Sequence, residues 1–103
     1  MVQYLYNSSG EWIAFRDGPF VFDTKGEFLG YMAEGGVDVA DIENRYFASI
    51  YYDDRLYRKL FAPQMDARYP GYPGPHPPPD FPGFAEGAPI PIEADDIPEL
   101  TAA

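Results

Sequence analysis

One unit, written twice near the start of the chain, limits what this sequence can fold into. Tyr4-Leu5-Tyr6-Asn7-Ser8-Ser9-Gly10-Glu11-Trp12-Ile13-Ala14-Phe15 returns as Phe20-Val21-Phe22-Asp23-Thr24-Lys25-Gly26-Glu27-Phe28-Leu29-Gly30-Tyr31, with every matched pair sixteen positions apart. Each unit reads aromatic-x-aromatic, then a polar loop running from Asn or Asp to Gly-Glu, then aromatic-aliphatic-small-aromatic. Alternate residues of a strand face opposite sides. Asn and Gly, one near each end of the loop, tolerate the positive φ that a tight reversal needs. The unit is therefore a repeated β-hairpin. A lone two-stranded hairpin is marginal in water, so the units must share a core.

Arg16-Asp17-Gly18-Pro19 reads as the turn joining the two units, and Glu34-Gly35-Gly36 as the turn that follows them. Val37-Asp38-Val39 and the run Tyr46–Tyr52 supply the strands of a third unit. Its loop, Ala40–Arg45, lacks the glycine, and Val39, Ile42 and Tyr46 fall at i, i+3, i+7, which keeps a helical turn as the alternative. The β-favouring run at 46–52 favours strand. After Asp53-Asp54, the stretch Arg55–Phe61 reads as a last edge strand or a short helix, with Arg55, Arg58 and Lys59 guarding an exposed edge. Ala14 and Gly30 occupy the same place in the repeat, where small residues let hairpins approach closely.

Composition divides the chain near Phe61-Ala62-Pro63. Fourteen of the aromatic residues lie in 1–61, whereas eleven of the twelve prolines lie beyond. The fold class is accordingly all-β: residues 1–61 form repeated hairpins, three to four units around a shared aromatic core, and residues 62–103 form a proline-rich, acidic tail. A core of about 60 residues is marginal, so docking of the tail or self-association would help it. Proline excludes helix and central strand from 70–84 and leaves polyproline II with glycine breaks.

Three readings of that segment compete. Pro70-x-x-Pro73 and Pro79-x-x-Pro82, with Tyr72 and Phe81, present a partner-binding surface for an aromatic-lined groove. Alternatively, Tyr72, Phe81 and Phe84 cover aromatics on the chain's own sheet. The third reading is a solvated spacer.

Residues 4–39, and more loosely to 61, resemble the four-fold beta-flower family of small, mostly bacterial proteins. The resemblance rests on the aromatic-x-aromatic, Asn or Asp, Gly, hydrophobic-small-aromatic motif, and on Phe28-Leu29-Gly30-Tyr31 followed by Gly36-Val37-Asp38-Val39. It implies four hairpins around a central axis and a proline-rich extension. It implies no activity and transfers no site residues.

Chemistry-bearing patterns are sparse. The chain has no Cys, which removes disulfides, thiol catalysis and Cys-based zinc sites. His76, the single histidine, sits among prolines and reads as a bystander. Asp53-Asp54 and Asp95-Asp96 are adjacent pairs, and neighbours on a strand point to opposite faces, which is poor geometry for an acid–base pair. Gly35-Gly36 lacks the Lys-Ser/Thr of a phosphate loop.

No catalytic residue, metal ligand or cofactor is assigned, and the chain is read as a non-enzyme. A net charge of −10 argues against nucleic-acid and anionic-membrane partners. Without a leader-like start or a run of roughly 20 apolar residues, the expected location is cytoplasmic. The first functional reading is a protein–protein interaction module with an unknown protein partner. The alternative is a binder of sugars or planar ligands that stack on Trp12. An exposed sheet edge also offers a route to a homo-oligomer.

Overall fold

The structure, a computed structural model, describes residues 2–33, 36–65 and 69–97, and among these none is helical. Eight strands follow in chain order: β1 (Val2–Tyr6), β2 (Trp12–Asp17), β3 (Phe20–Asp23), β4 (Phe28–Met32), β5 (Asp38–Ala40), β6 (Tyr46–Tyr51), β7 (Arg55–Lys59) and β8 (Ala94–Asp96). Each pairs antiparallel with the next in one sheet, and β7 turns back to meet β1 through the pair Tyr6–Arg55, which closes the ring. The strands group as four hairpins: β1–β2, β3–β4, β5–β6 and β7–β8. Glu34 and Gly35 of the expected turn lie outside the described residues.

Loop chemistry explains the repetition. In the first hairpin the Asn7 side-chain oxygen accepts from the amides of Ser9 (3.1 Å) and Glu11 (2.9 Å). Asp23 does the same for Lys25 (2.8 Å) and Glu27 (3.0 Å), and Asp41 for Glu43 (2.9 Å) and Arg45 (3.0 Å). The three loops also share one backbone scheme, including Gly10 N to Asn7 O, Gly26 N to Asp23 O and Asn44 N to Asp41 O. Asn44, at φ 63°, takes the left-handed position held by Gly10 and Gly26. Asn is the non-glycine residue best suited to it. The loop without glycine is thus the same five-residue turn, and the helical alternative for 40–45 is wrong. A register shift recurs at Leu5/Tyr6, Val21/Phe22 and Val39/Ala40, so each loop hands on the same local kink.

Two clusters form around the ring. One is aliphatic: Leu5, Val21, Val39 and Leu56, one from the first strand of each hairpin, are fully buried, and Leu29, Ile50 and Ile97 are buried beside them. Across the strand from the first three stand small residues, in the pairs Leu5–Ala14, Val21–Gly30 and Val39–Ala48. The second cluster is aromatic and lies apart from the first: Phe15, Phe22, Phe28 and Tyr31, flanked by Trp12, Phe20, Met65 and Tyr69. The residue between the aromatics, rather than the aromatics themselves, fills the aliphatic centre.

Three sequence expectations need revision. β7 is an interior strand with β6, β8 and β1 as neighbours, so its basic residues guard no edge. Arg55 is 5% exposed with its guanidinium over the Tyr6 ring, Arg58 lies over Phe47, and Lys59 pairs with Asp38 at 3.1 Å. Ala94–Asp96, counted with the irregular tail, return to the sheet as β8, and Ala94 and Ile97 are buried. The proline-rich segment is therefore the long connection of the fourth hairpin, and its neck is tied by Leu60 N to Glu93 O at 2.8 Å.

Gly30 shows how tightly the ring is drawn. A Cβ there would stand 2.3 Å from the Ala40 carbonyl oxygen and 3.1 Å from a Val39 methyl. Gly30→Ala is expected to cost about 1–3 kcal/mol, the usual range for overpacking, and Gly30→Val more. Thermal unfolding by circular dichroism checks both; an unchanged midpoint would count against close approach of β4 and β5 as the constraint.

Candidate interaction surface

The surface is built from the aromatic face of the first two hairpins and the proline-rich segment laid across it. The segment visits the second hairpin first. Tyr69 meets Tyr31 at a centroid distance of 5.7 Å and Tyr72 meets Phe28 at 5.6 Å. His76 then donates its amide to Gly26 O at 2.9 Å. Over the first hairpin Phe81 meets Trp12 at 6.1 Å, Ala85 donates to Gly10 O at 2.9 Å, and Ala88 to Ser8 O at 2.9 Å. The hydroxyl of Tyr4 donates to Asp80 O at 3.0 Å. Asp96 of β8 accepts from the Ser8 amide at 2.8 Å, and the Ser8 hydroxyl donates to the same carboxylate. Arg55, through Nη2, donates to Glu86 O. Its Nη1 lies 3.0 Å from an Asp54 carboxylate oxygen; the pairing is ionic, because neither Nη1 nor Nε has a partner in hydrogen-bonding geometry.

Glycine now carries two separate demands. Gly10 (φ 89°) and Gly26 (φ 88°) need the left-handed conformation, as Asn44 does. They also admit the segment: a Cβ on Gly10 would stand 2.0 Å from Ala85 O, and one on Gly26 1.8 Å from His76 O. Gly10 and Gly26 are buried, whereas Asn44 is exposed. The third hairpin meets the first demand and not the second. Tyr46, its counterpart of Trp12 and Phe28, has its hydroxyl engaged by Ser49 (2.7 Å) and the Lys59 amide (2.9 Å).

The residues singled out from sequence are distributed as follows. Trp12 is half-buried, edge-to-face with Tyr4 at 5.7 Å, tilted against Phe81, and its indole N–H donates to Ala14 O at 2.6 Å. Its ring is thus flanked on this chain by two others. Tyr72 has a ring contact with Phe28, and Phe81 has two, with Trp12 and Phe84, yet both remain 62% exposed. Pro70 and Pro73 are exposed, and Pro79 and Pro82 are half-buried. Pro73 lines a cleft of about 350 Å³ with Asp17, Pro19, Phe20, Phe22 and His76. The sequence missed Gly10, Gly26 and Arg55 as anchors of this surface; a glycine that a turn already explains carries no visible sign of a second task.

His76 is no bystander. Its ring lies 5.2 Å from Phe15 and 5.1 Å from Phe22; Nδ1 is 2.7 Å from Pro77 O and Nε2 2.9 Å from an Asp17 carboxylate oxygen. Both partners are acceptors, so both contacts are satisfied only by the doubly protonated ring. The Pro77 carbonyl, followed by Asp17, pushes His76 above its ordinary value, and the His76 hydrogen bond chiefly holds Asp17 below the usual carboxylate range. Tyr51, at the segment's neck, is pushed up to about 12 by burial and then by Glu93, and so donates to that carboxylate at 3.3 Å. Among the described residues, no group of three or more His, Asp or Glu could hold a metal, and no helix is long and apolar enough to cross a membrane.

Two predictions follow from these contacts. Gly26→Asn keeps the turn but places a Cβ against His76 O; the His76 amide is expected to exchange about tenfold faster, the loss of one net hydrogen bond. Asn44→Gly keeps the left-handed turn but removes the side-chain oxygen that accepts from the hydroxyl of buried Tyr31, and is expected to cost about 1–2 kcal/mol. Hydrogen exchange and thermal melts separate the two effects.

The segment's hold is also expected to depend on pH in two directions. The His76 contribution is complete below its unfolded value near 6.5 and is lost as pH rises through the elevated folded value. The Asp17 contribution is complete above 3.8 and is lost as pH falls through the depressed one. His76 amide protection should therefore be greatest between those two unfolded values, and His76→Gln should flatten its alkaline side.

No known family model, curated protein or solved structure matches the chain.

Proposed function

We propose that this protein is a small non-enzymatic protein–protein interaction module that works in the cytoplasm, and that it is a member of the beta-flower group. Four hairpins in a closed ring support the family reading. The single observation that carries the interaction reading is the held but outward-facing proline-rich segment. It is pinned to the sheet by backbone hydrogen bonds, yet Tyr72, Phe81 and Phe84 keep 62%, 62% and 75% of their surface exposed. Aromatic side chains presented on a constrained backbone lose little conformational entropy on binding, which suits them as anchors for a protein partner. The chain's charge of −10 favours a partner with basic residues around an apolar patch.

Stacking of a sugar or planar ligand on Trp12 is the weaker reading, because a ligand would first have to displace Phe81. The cleft bounded by Phe20, Phe22 and His76, of about 350 Å³, offers such a ligand another place.

Affinity capture from cell extract with the wild-type chain and with Phe84→Ala, which removes the most exposed of the three rings, tests the proposal. A partner retained by the first and lost by the second is expected, and equal recovery would overturn the assignment of this surface. Phe81→Ala, which uncovers Trp12, is expected to move the indole emission to longer wavelength. Oligosaccharides and nucleotides are expected to leave the wild-type emission unchanged, and a saturable shift would favour the ligand reading instead.

A further inference from the structure

The proline-rich segment contains its own short repeat, and that repeat is docked twice in one register. Tyr72-Pro73-Gly74-Pro75-His76 lies on the second hairpin and Phe81-Pro82-Gly83-Phe84-Ala85 on the first. In both, the aromatic ring rests on the residue that follows the loop's Gly-Glu, Phe28 in one case and Trp12 in the other. In both, the glycine after proline has a positive φ, 85° at Gly74 and 87° at Gly83, which glycine adopts without steric cost. In both, the residue four after the aromatic donates its amide to the loop glycine's carbonyl at 2.9 Å. Its own carbonyl oxygen comes so close to that glycine that a Cβ would stand 1.8 or 2.0 Å away.

The two occupants share an aromatic residue, proline and glycine, and differ in the last two side chains, Pro-His against Phe-Ala. The repeated features are therefore the ring, the positive-φ glycine after proline and the backbone of the fifth residue. The hairpin contribution is equally simple: a glycine in the left-handed conformation, its carbonyl, and an aromatic ring two positions on.

Resting on the interaction-module reading, we propose that the loop glycine and following aromatic of the first and second hairpins are two copies of one peptide-binding site. Its ligand is an extended aromatic-Pro-Gly-x-x segment, and a partner protein carrying such a segment takes these sites in exchange for the chain's own. The seating of the internal occupants leaves room for exchange: Tyr72 and Phe81 are each 62% exposed. The same feature makes the proline-rich connection a built-in competitor, which sets how much of such a partner is bound at a given concentration. The third hairpin is excluded by Asn44, whose Cβ occupies the place of the incoming carbonyl.

The test uses the isotope-labelled full chain carrying Tyr72→Ala/Phe81→Ala, which removes both internal rings and leaves the hairpins intact. The probes are the capped pentapeptides Tyr-Pro-Gly-Pro-His and Phe-Pro-Gly-Phe-Ala, each with a control in which alanine replaces the aromatic. Saturable amide shifts at Gly10 and Gly26 and at the Trp12 indole are expected, about tenfold tighter than in the wild type and absent with the controls. Adding Gly26→Asn should abolish the shifts around the second hairpin and keep those around the first. Failure of either peptide to saturate, or equal response to the alanine controls, would overturn the proposal. So would shifts that appear only as sedimentation shows a dimer, since the occupant would then be a second copy of this chain. If the double variant fails to fold, Tyr72→Ala and Phe81→Ala singly should each open only their own site, and a response at neither or at the other site counts against it. Partner capture that depends on Phe84 would survive a failure of the peptides, so the two readings fall separately.

Discussion

Four branched aliphatic side chains have to meet at one place, and the rest of the structure follows from that demand. Leu5, Val21, Val39 and Leu56 come from the first strands of four hairpins and are fully buried. Small residues, Ala14, Gly30 and Ala48, stand across the strand from the first three, and Ile50 stands across from Leu56. Phe15, Phe22, Phe28 and Tyr31 of the first two hairpins lie outside that centre. They collect in a second cluster, which is too apolar to leave uncovered and which the proline-rich segment partly roofs.

That roof needs the fourth hairpin to differ from the other three. Where they turn in five residues, it leaves the sheet after Lys59 and returns at Ala94. Ends held by the Leu60–Glu93 hydrogen bond and the Ser8–Asp96 contact make the proline-rich stretch a tethered strap. Proline suits it, because a chain that lacks donors and is already extended loses little entropy when laid down. Its few remaining donors are then spent on chosen acceptors, as with His76 on Gly26 and Ala85 on Gly10.

Much of this was legible in the residues. The sixteen-residue repeat located the first two hairpins, because Asx and Gly-Glu are local turn chemistry and need no tertiary partner. The third loop was harder: Asn44 does the work of glycine, and a residue that reaches the left-handed region only with some strain is a weaker signal. Arg55–Lys59 suggested a charged edge, since in sequence a buried arginine under a tyrosine ring looks the same as a solvated one. Of the surface residues, Tyr72 and Phe81 were visible as aromatics without a core to enter, whereas His76 and the two loop glycines were not. Their roles depend on residues from 50 to 75 positions away.

The sequence by itself determined the all-β class, the hairpin unit, its loop and the break in composition near residue 62, because each arises from contacts within a few residues or from what proline cannot do. Only the tertiary structure decided that Ala94–Asp96 completes the fourth hairpin, and that, among the described residues, the proline-rich segment lies on the first two units and not on the third. A three-residue strand such as β8 has almost no propensity of its own and exists because β7 offers it an unpaired edge. The choice of units likewise turns on one missing Cβ, a matter of space between segments distant in sequence.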